Sequence, residues 1–371
     1  MRAFVLALCA TVLAGCAHQP TRLQHVHEDA ILVVVDDPRP ERLRNFAYGS
    51  RYASPIAYDQ DPILKRYANK IAGDHGQDVL LQWPLRSLTV HCFVIDRPSE
   101  EVLRDMSNDE RIRWIQPFNH HELQTATVTT SQRSLPPLPV PGSAKGARVT
   151  IIDTGADLTH RDLQAHNIAY QDLVDARDAG YNEHHGTSIL GLIAAQPHTD
   201  SSLVRGLASE ASVQHLRGCW EQDGRGRCNT LTLALALEAA LAYRPHVVNL
   251  SLTGPKDRVL DELIGALADQ GTIVVSAFDD SRTPSERFPM PAENVLYAAA
   301  GERLGVDTGH PRTYRAPGAA LSLSPMDDYA LVSGHSVAAP YLTAIVARLA
   351  TREARTLALV ERLEQIVGPG Q

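Results

Sequence analysis

The sequence lacks several features that would each point to a class of protein. It has no excess of positive charge, since 35 Lys and Arg residues stand against 43 Asp and Glu residues, for a formal net charge of −8. Such a chain has no basic surface to neutralise phosphates, so no nucleic-acid partner is expected. Its histidines are not spaced as metal ligands, so no metal site is predicted, and His120 and His121 are expected at the solvated surface.

The amino terminus also lacks an apolar run long enough to span a bilayer, which takes about 20 residues. The stretch MRAFVLALCATVLAGCAHQ has one positive charge, at Arg2, and a shorter apolar run that ends at small residues, which is typical of an export signal. LAGC at residues 13–16 resembles the bacterial lipobox. The resemblance implies removal of residues 1–15, a lipid on Cys16, a tether over residues 16–28 and, because Ala17 follows, an outer-membrane lipoprotein that faces the periplasm or the cell surface. An ordinary cleaved signal is the alternative.

Cysteine is scarce, with five residues in the chain. Cys9 would leave with the signal and Cys16 would be acylated. Export to an oxidising compartment favours a disulfide bond between Cys219 and Cys228, across the loop CWEQDGRGRC. Cys92, in the apolar run LTVHCFVID, is predicted to be a small buried core residue.

Residues 29–123 predict a small α+β domain. Strands are expected at ILVVV, VLLQW, LTVHCFVID and IRWIQPF, and helices at DPILKRYANKIAGDHG and from Ser99. Both helices carry apolar residues at three-to-four spacing, as a helix that covers a sheet does. The order is that of a split β-α-β, ferredoxin-like fold. Residues 124–146, rich in Thr, Ser and Pro without a hydrophobic period, predict an exposed linker that proteases can cut.

Residues 147–371 show a different pattern, in which continuous apolar strands alternate with helices. This pattern predicts the α/β class, with a parallel sheet covered by helices on both faces. Functional groups of such sheets collect at the carboxyl ends of the strands. Asp153 stands at such an end, after RVTIID.

The turn IIDTG first suggests an aspartic protease, because a second Asp-Thr-Gly follows at residues 307–309. Two carboxylates that share one proton at close range need two equivalent hairpins. The second turn, LGVDTGHPR, lacks the paired apolar residues of the first, and the α/β pattern around Asp153 supplies no matching hairpin. This alternative is therefore disfavoured, and Asp307 is expected in a surface turn.

Two further blocks supply a histidine and a serine. HHGTSILGLIAA places His185 before a short apolar helix, and SGHSVAAPYLTAIVARL places Ser336 at the start of another. In the order Asp, His, Ser, these blocks and DTGADLTHRDL resemble the subtilisin-like serine proteases. VRGLASEASVQHLR, VVNLSLTGP, FPMPAENVLYAAA and APG resemble further segments of that family, so the resemblance runs from about residue 147 to residue 349.

The resemblance implies a serine endopeptidase that acts on polypeptides. Ser336 would be the nucleophile, His185 the general base and acid, and Asp153 the carboxylate that orients the imidazole. The amino terminus of the helix at Ser336 would direct free N–H groups toward the developing oxyanion. An extended substrate would pair with the edge segment made of Ser251, Leu252, Thr253 and Gly254.

The position of the first domain resembles that of the subtilase propeptide, an inhibitor and folding aid. IRWIQPFNHHELQT would be the strand and tail that occupy the active site, and self-cleavage in the linker would free the catalytic domain from the membrane. An unrelated binding domain is the alternative.

Three positions depart from the family. Asp279 stands where most subtilases have an asparagine that donates to the oxyanion, and an aspartate could donate only if a raised pKa kept it protonated. Phe278 replaces a glycine of the primary specificity pocket, and Thr253 replaces another. This added bulk predicts a narrowed pocket that accepts small side chains, or a catalytically impaired scaffold or binding lipoprotein of the same fold. No cofactor is predicted; the resemblance adds calcium, which many relatives bind, without identifying a site.

Overall fold

The computed structural model describes residues 26–27, 29–40, 61–123, 135–141, 143–174, 183–199, 202–307, 309–351 and 356–368. In chain order the strands are β1 (Ile31–Asp36), β2 (Val79–Leu85), β3 (Val90–Ile95), β4 (Ile112–Pro117), β5 (His120–Leu123), β6 (Arg148–Asp153), β7 (Ile168–Asp172), β8 (Ser212–Arg217), β9 (Cys219–Gln222), β10 (Arg225–Asn229), β11 (Val247–Leu250), β12 (Leu252–Pro255), β13 (Ile273–Ala277), β14 (Arg287–Phe288), β15 (Val295–Gly301), β16 (Gly305–Val306), β17 (Thr313–Pro317), β18 (Ala319–Ser324) and β19 (Asp328–Ser333). The helices are α1 (Pro62–Asp74), α2 (Glu100–Ser107), α3 (His184–Ala194), α4 (Thr230–Tyr243), α5 (Arg258–Asp269), α6 (His335–Ala350) and α7 (Thr356–Val367).

The amino-terminal unit is an antiparallel sheet of order β2-β3-β1-β4 with α1 and α2 on one face. α1 begins where it does because Asp61 accepts hydrogen bonds from the amides of Ile63 and Leu64, while Pro62 occupies the first helical position. Side chains alternate across the strands, so Val33 and Val35 pack against the helices and their neighbours face the other way.

The large unit is built on a sheet of order β16-β17-β15-β13-β11-β6-β8-β7. Its strands are parallel except that β16 pairs antiparallel with β17. α3, α6 and α7 share a core with one face of the sheet, and α4 and α5 share a core with the other. The predicted α/β architecture with helices on both faces is confirmed, and β6, with Asp153 at its carboxyl end, lies inside the sheet.

α4 joins the two units. Its sequence, TLTLALALEAALAY, is apolar on every side, because the large sheet covers one side and the amino-terminal sheet covers the other. Glu238, the charged residue of α4, accepts hydrogen bonds from the backbone amide and the hydroxyl of Ser87 in the amino-terminal unit. The amino-terminal unit therefore completes the core of the large one.

The structure describes two regions that the sequence predicts as a disulfide-closed loop and a linker. It contains the predicted disulfide bond between Cys219 and Cys228, and the loop between them is a hairpin of β9 and β10. Within the predicted linker, residues 135–141 contact α6: Val140 is buried and its carbonyl accepts from Arg348 at 2.9 Å, the carbonyl of Pro137 accepts from the hydroxyl of Tyr341 at 3.2 Å, and Pro137, Pro139 and Pro141 are exposed. Apolar side chains between the prolines favour this packing.

Two sequence predictions remain, one about attachment to a membrane and one about the burial of Cys92. No helix within the described chain combines the length and the apolar character needed to cross a bilayer. Cys16 and the signal lie outside the described residues. Cys92 is a free, buried thiol in β3, and burial raises its pKa well above the usual value.

Candidate active site

The carboxyl end of β6 brings an aspartate and a histidine into direct contact. The Nδ1–H of His185 donates to Oδ1 of Asp153 at 2.7 Å, and the backbone amide of Thr154 donates to the same oxygen at 2.7 Å. His185 lies in the first turn of α3, which can approach the turn after β6 because the next residue is a glycine. A Cβ on Gly186 would lie 2.3 Å from the carbonyl oxygen of Thr154.

The surroundings of His185 favour its charged form. Burial alone would lower its pKa, but the hydrogen-bonded carboxylate of Asp153 and the nearby Glu221 outweigh burial and raise the pKa above the usual value. The other ring nitrogen, Nε2, is buried and has no hydrogen-bond partner in the described chain. A ring with one nitrogen held by a carboxylate and the other free can accept a proton from a neighbouring group.

Ser336 lies in the first turn of α6, at the same edge of the sheet. Gly334, just before the helix, has φ of 131°, a conformation that side chains disfavour. The carbonyl of Ser336 accepts from Oγ of Ser251 at 3.1 Å. Ser251 follows β11, which runs beside β6 with Leu250 opposite Ile152. The hydroxyl of Ser336 is not hydrogen-bonded to His185 in this structure; such catalytic contacts often tighten only when substrate binds.

A polar chain that the sequence reasoning missed holds Ser336 in place. Thr343 of α6 donates to Oδ1 of Asn249 at 2.9 Å, and Nδ2 of Asn249 donates to Oγ of Ser251 at 2.9 Å. All three side chains are fully buried. The signal was present in the sequence as single polar residues within the apolar segments VVNL and YLTAIV.

A second missed network fixes the other half of the site. Glu183, just before α3, accepts from the amide of Gly155 at 2.5 Å, from the amide of Glu221 at 2.9 Å and from Nε of Arg217 at 3.0 Å. Glu221 in turn accepts from the amide of His185 at 2.7 Å. The turn after β6 and the start of α3 are thus tied together by buried, charge-assisted hydrogen bonds.

Asp279, the candidate for the oxyanion position, is an ionised carboxylate. Its Oδ2 accepts from Arg282 at 2.7 Å and from Thr253 at 3.1 Å, and its Oδ1 accepts from the amide of Ser281 at 2.9 Å. Burial would raise the pKa of Asp279, but Ser281 and Arg282 hold it below the usual value. The raised pKa that donation would require is therefore not found, and this carboxylate accepts hydrogen bonds only.

Phe278, the second departure, is packed into the protein. Its ring centroid lies 4.8 Å from that of His310 and 6.1 Å from that of His335, which precedes Ser336, and the guanidinium of Arg287 lies 5.3 Å from it. The side chain is 5% exposed. The ring of Phe278 thus occupies space beside the start of α6, where the sequence predicts a narrowed pocket.

The predicted edge segment is occupied by the chain itself. Leu252 and Thr253 of β12 pair antiparallel with Leu123 and Glu122 of β5, inside a sheet of order β14-β12-β5-β10-β9. The expectation that His121 is solvated is wrong, since the ring is fully buried at this sheet. Sequence spacing does not reveal a burial that arises from pairing with distant strands.

The aspartic-protease alternative fails on distance. Asp307 follows β16, and four strands separate β16 from β6 in the sheet. At about 4.8 Å per step the two aspartates stand about 24 Å apart, too far to share a proton. Asp307 belongs to a turn, where it accepts from the amide of Gly309 at 2.9 Å.

Metal ligands are not grouped in the part of the chain that the structure describes. No cluster of three or more His, Cys, Asp or Glu residues there could hold an ion. No step of the chemistry is assigned to the calcium that the resemblance implies.

Comparison with known proteins identifies the class to which this fold and site belong. The model of the subtilase family matches residues 144–362. The chain is 26% identical over 230 residues to a thermophilic serine proteinase from Bacillus sp. The aligned region covers 60% of this chain and 56% of that protein. The chain is 27% identical over 216 residues to thermitase from Thermoactinomyces vulgaris, covering 56% of this chain and 76% of that protein.

A solved structure extends the likeness in fold to the amino-terminal unit. The epidermin leader peptide processing serine protease from Staphylococcus aureus covers 91% of this chain and 93% of its own, with a TM-score of 0.60 and 15% identity. At that identity the likeness concerns the fold alone. The family match spans more than half of the chain, and the chain belongs to the subtilase family of serine proteases.

Proposed function

We propose that the protein is a serine endopeptidase in which Ser336, His185 and Asp153 form the catalytic triad. The observation that carries the proposal is the 2.7 Å hydrogen bond between His185 and Asp153, with Nε2 unpartnered and Ser336 anchored at the same edge of the sheet. A scaffold without catalytic activity would not require a buried Asp–His pair in this orientation.

The chemistry uses the groups in order. The hydroxyl of Ser336 attacks the scissile carbonyl while its proton passes to Nε2 of His185, and Asp153 stabilises the resulting imidazolium. The imidazolium then protonates the leaving amine, which departs and leaves an acyl-enzyme. Water repeats the two steps, with His185 as base and then as acid, and releases the acid product and the free serine.

Stabilisation of the oxyanion is the step at which this chain departs from its family. The first backbone N–H groups of α6 lie at the positive end of the helix dipole, and those without intrahelical partners are the donors available to the oxyanion. The ionised Asp279 supplies no donor, so turnover is expected to be slower than with an asparagine there. The packed ring of Phe278 and the side chain of Thr253 support a preference for small side chains before the scissile bond.

The amino-terminal unit acts, in this proposal, as a propeptide that inhibits the enzyme and is removed by self-cleavage. Its tail, β5, lies between β10 and β12 as an extended substrate would, which supports the proposal. The cut falls within residues 124–146. The proposed outer-membrane lipoprotein is anchored by a lipid on Cys16. The cut and the loss of the propeptide would therefore release the catalytic unit from the membrane.

Hydrolysis of a quenched protein substrate by the full chain tests the function. The wild type is expected to cleave the substrate and to shorten itself, with a new amino terminus between residues 124 and 146. Ser336→Ala is expected to do neither, while Ser285→Ala, at an exposed serine, keeps both. A folded wild type that leaves the substrate and itself intact would favour the scaffold alternative.

A further inference from the structure

The segment in the groove shows which side chains the groove accepts. β5 pairs antiparallel with β12 on one side and with β10 on the other, so that Leu123 lies opposite Leu252 and His121 opposite Cys228. A strand added in this way is held through its backbone, and alternate side chains fill pockets. His121 and Leu123 are the two that point inward, since both are buried.

Two glycines make room for these side chains. A Cβ on Gly254 would lie 2.1 Å from Nδ1 of His121, and a Cβ on Gly226 would lie 2.0 Å from Cδ1 of Leu123. Phe288 packs against the imidazole, with ring centroids 5.1 Å apart and planes 73° to each other. One pocket is therefore shaped for a ring the size of imidazole, and the next for a leucine.

The pocket of the imidazole contains a buried carboxylate. Oδ2 of Asp257 lies 3.8 Å from Nε2 of His121, and both side chains are fully buried. Burial would raise the pKa of Asp257, but His121, Thr230 and Asn119 hold it below the usual value. Neither ring nitrogen of His121 has a hydrogen-bond partner in the described chain. An imidazole without partners gains from a carboxylate at this distance, whereas an apolar ring would not.

Half of the donors that hold Asp257 belong to the amino-terminal unit. Gln116 donates to Oδ1 at 2.8 Å and Asn119 to Oδ2 at 2.9 Å. The hydroxyl of Thr230, at 2.6 Å, and the backbone amide of Leu260, at 3.2 Å, belong to the catalytic unit. Once the amino-terminal unit leaves, the carboxylate faces an open groove with unused capacity to accept hydrogen bonds.

We propose that Asp257 selects polypeptide substrates that carry a histidine two residues before the residue that pairs with Leu252. The proposal rests on the proposed endopeptidase function and adds to it a sequence preference. Discrimination arises because a substrate with an apolar side chain at this position replaces none of the donors that the carboxylate loses with Gln116 and Asn119. His121 of the chain's own tail is the first occupant of the pocket.

Peptide selectivity tests the proposal. The full chain, after self-processing, is titrated with a fluorophosphonate, and kcat/KM is measured on quenched peptides that contain Xaa-Glu-Leu-Gln-Thr, with His, Phe or Leu at Xaa. The wild type is expected to prefer His about tenfold, on the order of the attraction between an imidazole and a carboxylate about 4 Å apart in a partly desolvated site. Asp257→Ser, which keeps a helix-capping hydroxyl, is expected to bring the ratio close to one. Equal rates on the three peptides with the wild type would overturn the proposal.

The matched control is Asp261→Asn. Asp261 lies on the same helix, α5, one turn after Asp257, and its carboxylate accepts from the amide of Met290 at 3.0 Å. This variant is expected to keep the preference for histidine. If Asp261→Asn also lost the preference for histidine, that preference would depend on α5 as a whole. This result would count against a specific role of Asp257.

A second measurement needs no turnover. In the Ser336→Ala background, denaturant unfolding of His121→Phe, Asp257→Ser and the double variant forms a cycle. His121→Phe is expected to destabilise the chain more when Asp257 is present than when it is absent. Additive effects would overturn the proposal. A wild type that neither labels nor cleaves any peptide, together with coupling in the cycle, would refute the endopeptidase function while supporting the histidine pocket.

Discussion

At the scale of single residues, the environment of His185 sets the pH range of the reaction. Asp153, and more weakly Glu221, raise the pKa of the imidazole above its usual 6.5 despite burial. The imidazole must be neutral to accept the proton of Ser336, so kcat/KM is expected to fall as pH drops through that raised pKa. Asp153→Asn is expected to lower kcat about 10⁴-fold and to move this acid limb to lower pH. A wild-type limb well below pH 6.5 would contradict the account.

Substitution of Asp279 is expected to raise kcat, in contrast to substitution of Asp153. Asp279→Asn replaces an acceptor by a group that can donate to the oxyanion, so kcat is expected to rise, by up to about 10²-fold. The neighbouring Asp280 is exposed, and Asp280→Asn is the control that should leave kcat unchanged. A fall in kcat in Asp279→Asn, measured with the same processed enzyme concentration, would show that the pair formed by Asp279 and Arg282 is itself required.

At the scale of elements, the hairpin of β9 and β10 forms one wall of the groove and is closed by the disulfide bond. Cys219→Ala with Cys228→Ala is expected to lower the free energy of unfolding by about 2–3 kcal/mol, the loop-closure value for a ring of this size. Denaturant unfolding with and without reductant measures it: reductant should weaken the wild type and leave the double variant unchanged. A double variant as stable as the wild type would contradict this role.

The elements also show which parts of the structure the sequence could predict. RVTIID, VVNLS and TIVVSA are continuous apolar runs, and each forms a central parallel strand, because burial on both faces leaves a local signature. The position of β5 has no such signature. HHEL is polar and short, and its place between β10 and β12 depends on partners more than 100 residues away. The networks around Glu183 and Asn249 likewise depend on contacts between distant elements.

At the scale of the whole molecule, the two units are one folded body with a shared core. α4 is apolar on every side because a sheet from each unit covers it, and residues 135–141 of the predicted linker accept hydrogen bonds from α6 through the carbonyls of Pro137 and Val140. The amino-terminal unit thus covers both the core of the catalytic unit and its groove. Removal of this unit would expose apolar surface on α4 together with the groove, which agrees with a role as folding aid and inhibitor.

Covalent labelling tests the central claim most directly. The processed protein is treated with a fluorophosphonate, and the modified residue is located by peptide mass mapping. The account predicts a single adduct on Ser336 that is lost in His185→Ala, because the hydroxyl is a nucleophile only when the imidazole accepts its proton. A processed, folded protein in which Ser336 remains unmodified at every pH, or an adduct that persists without His185, would contradict it.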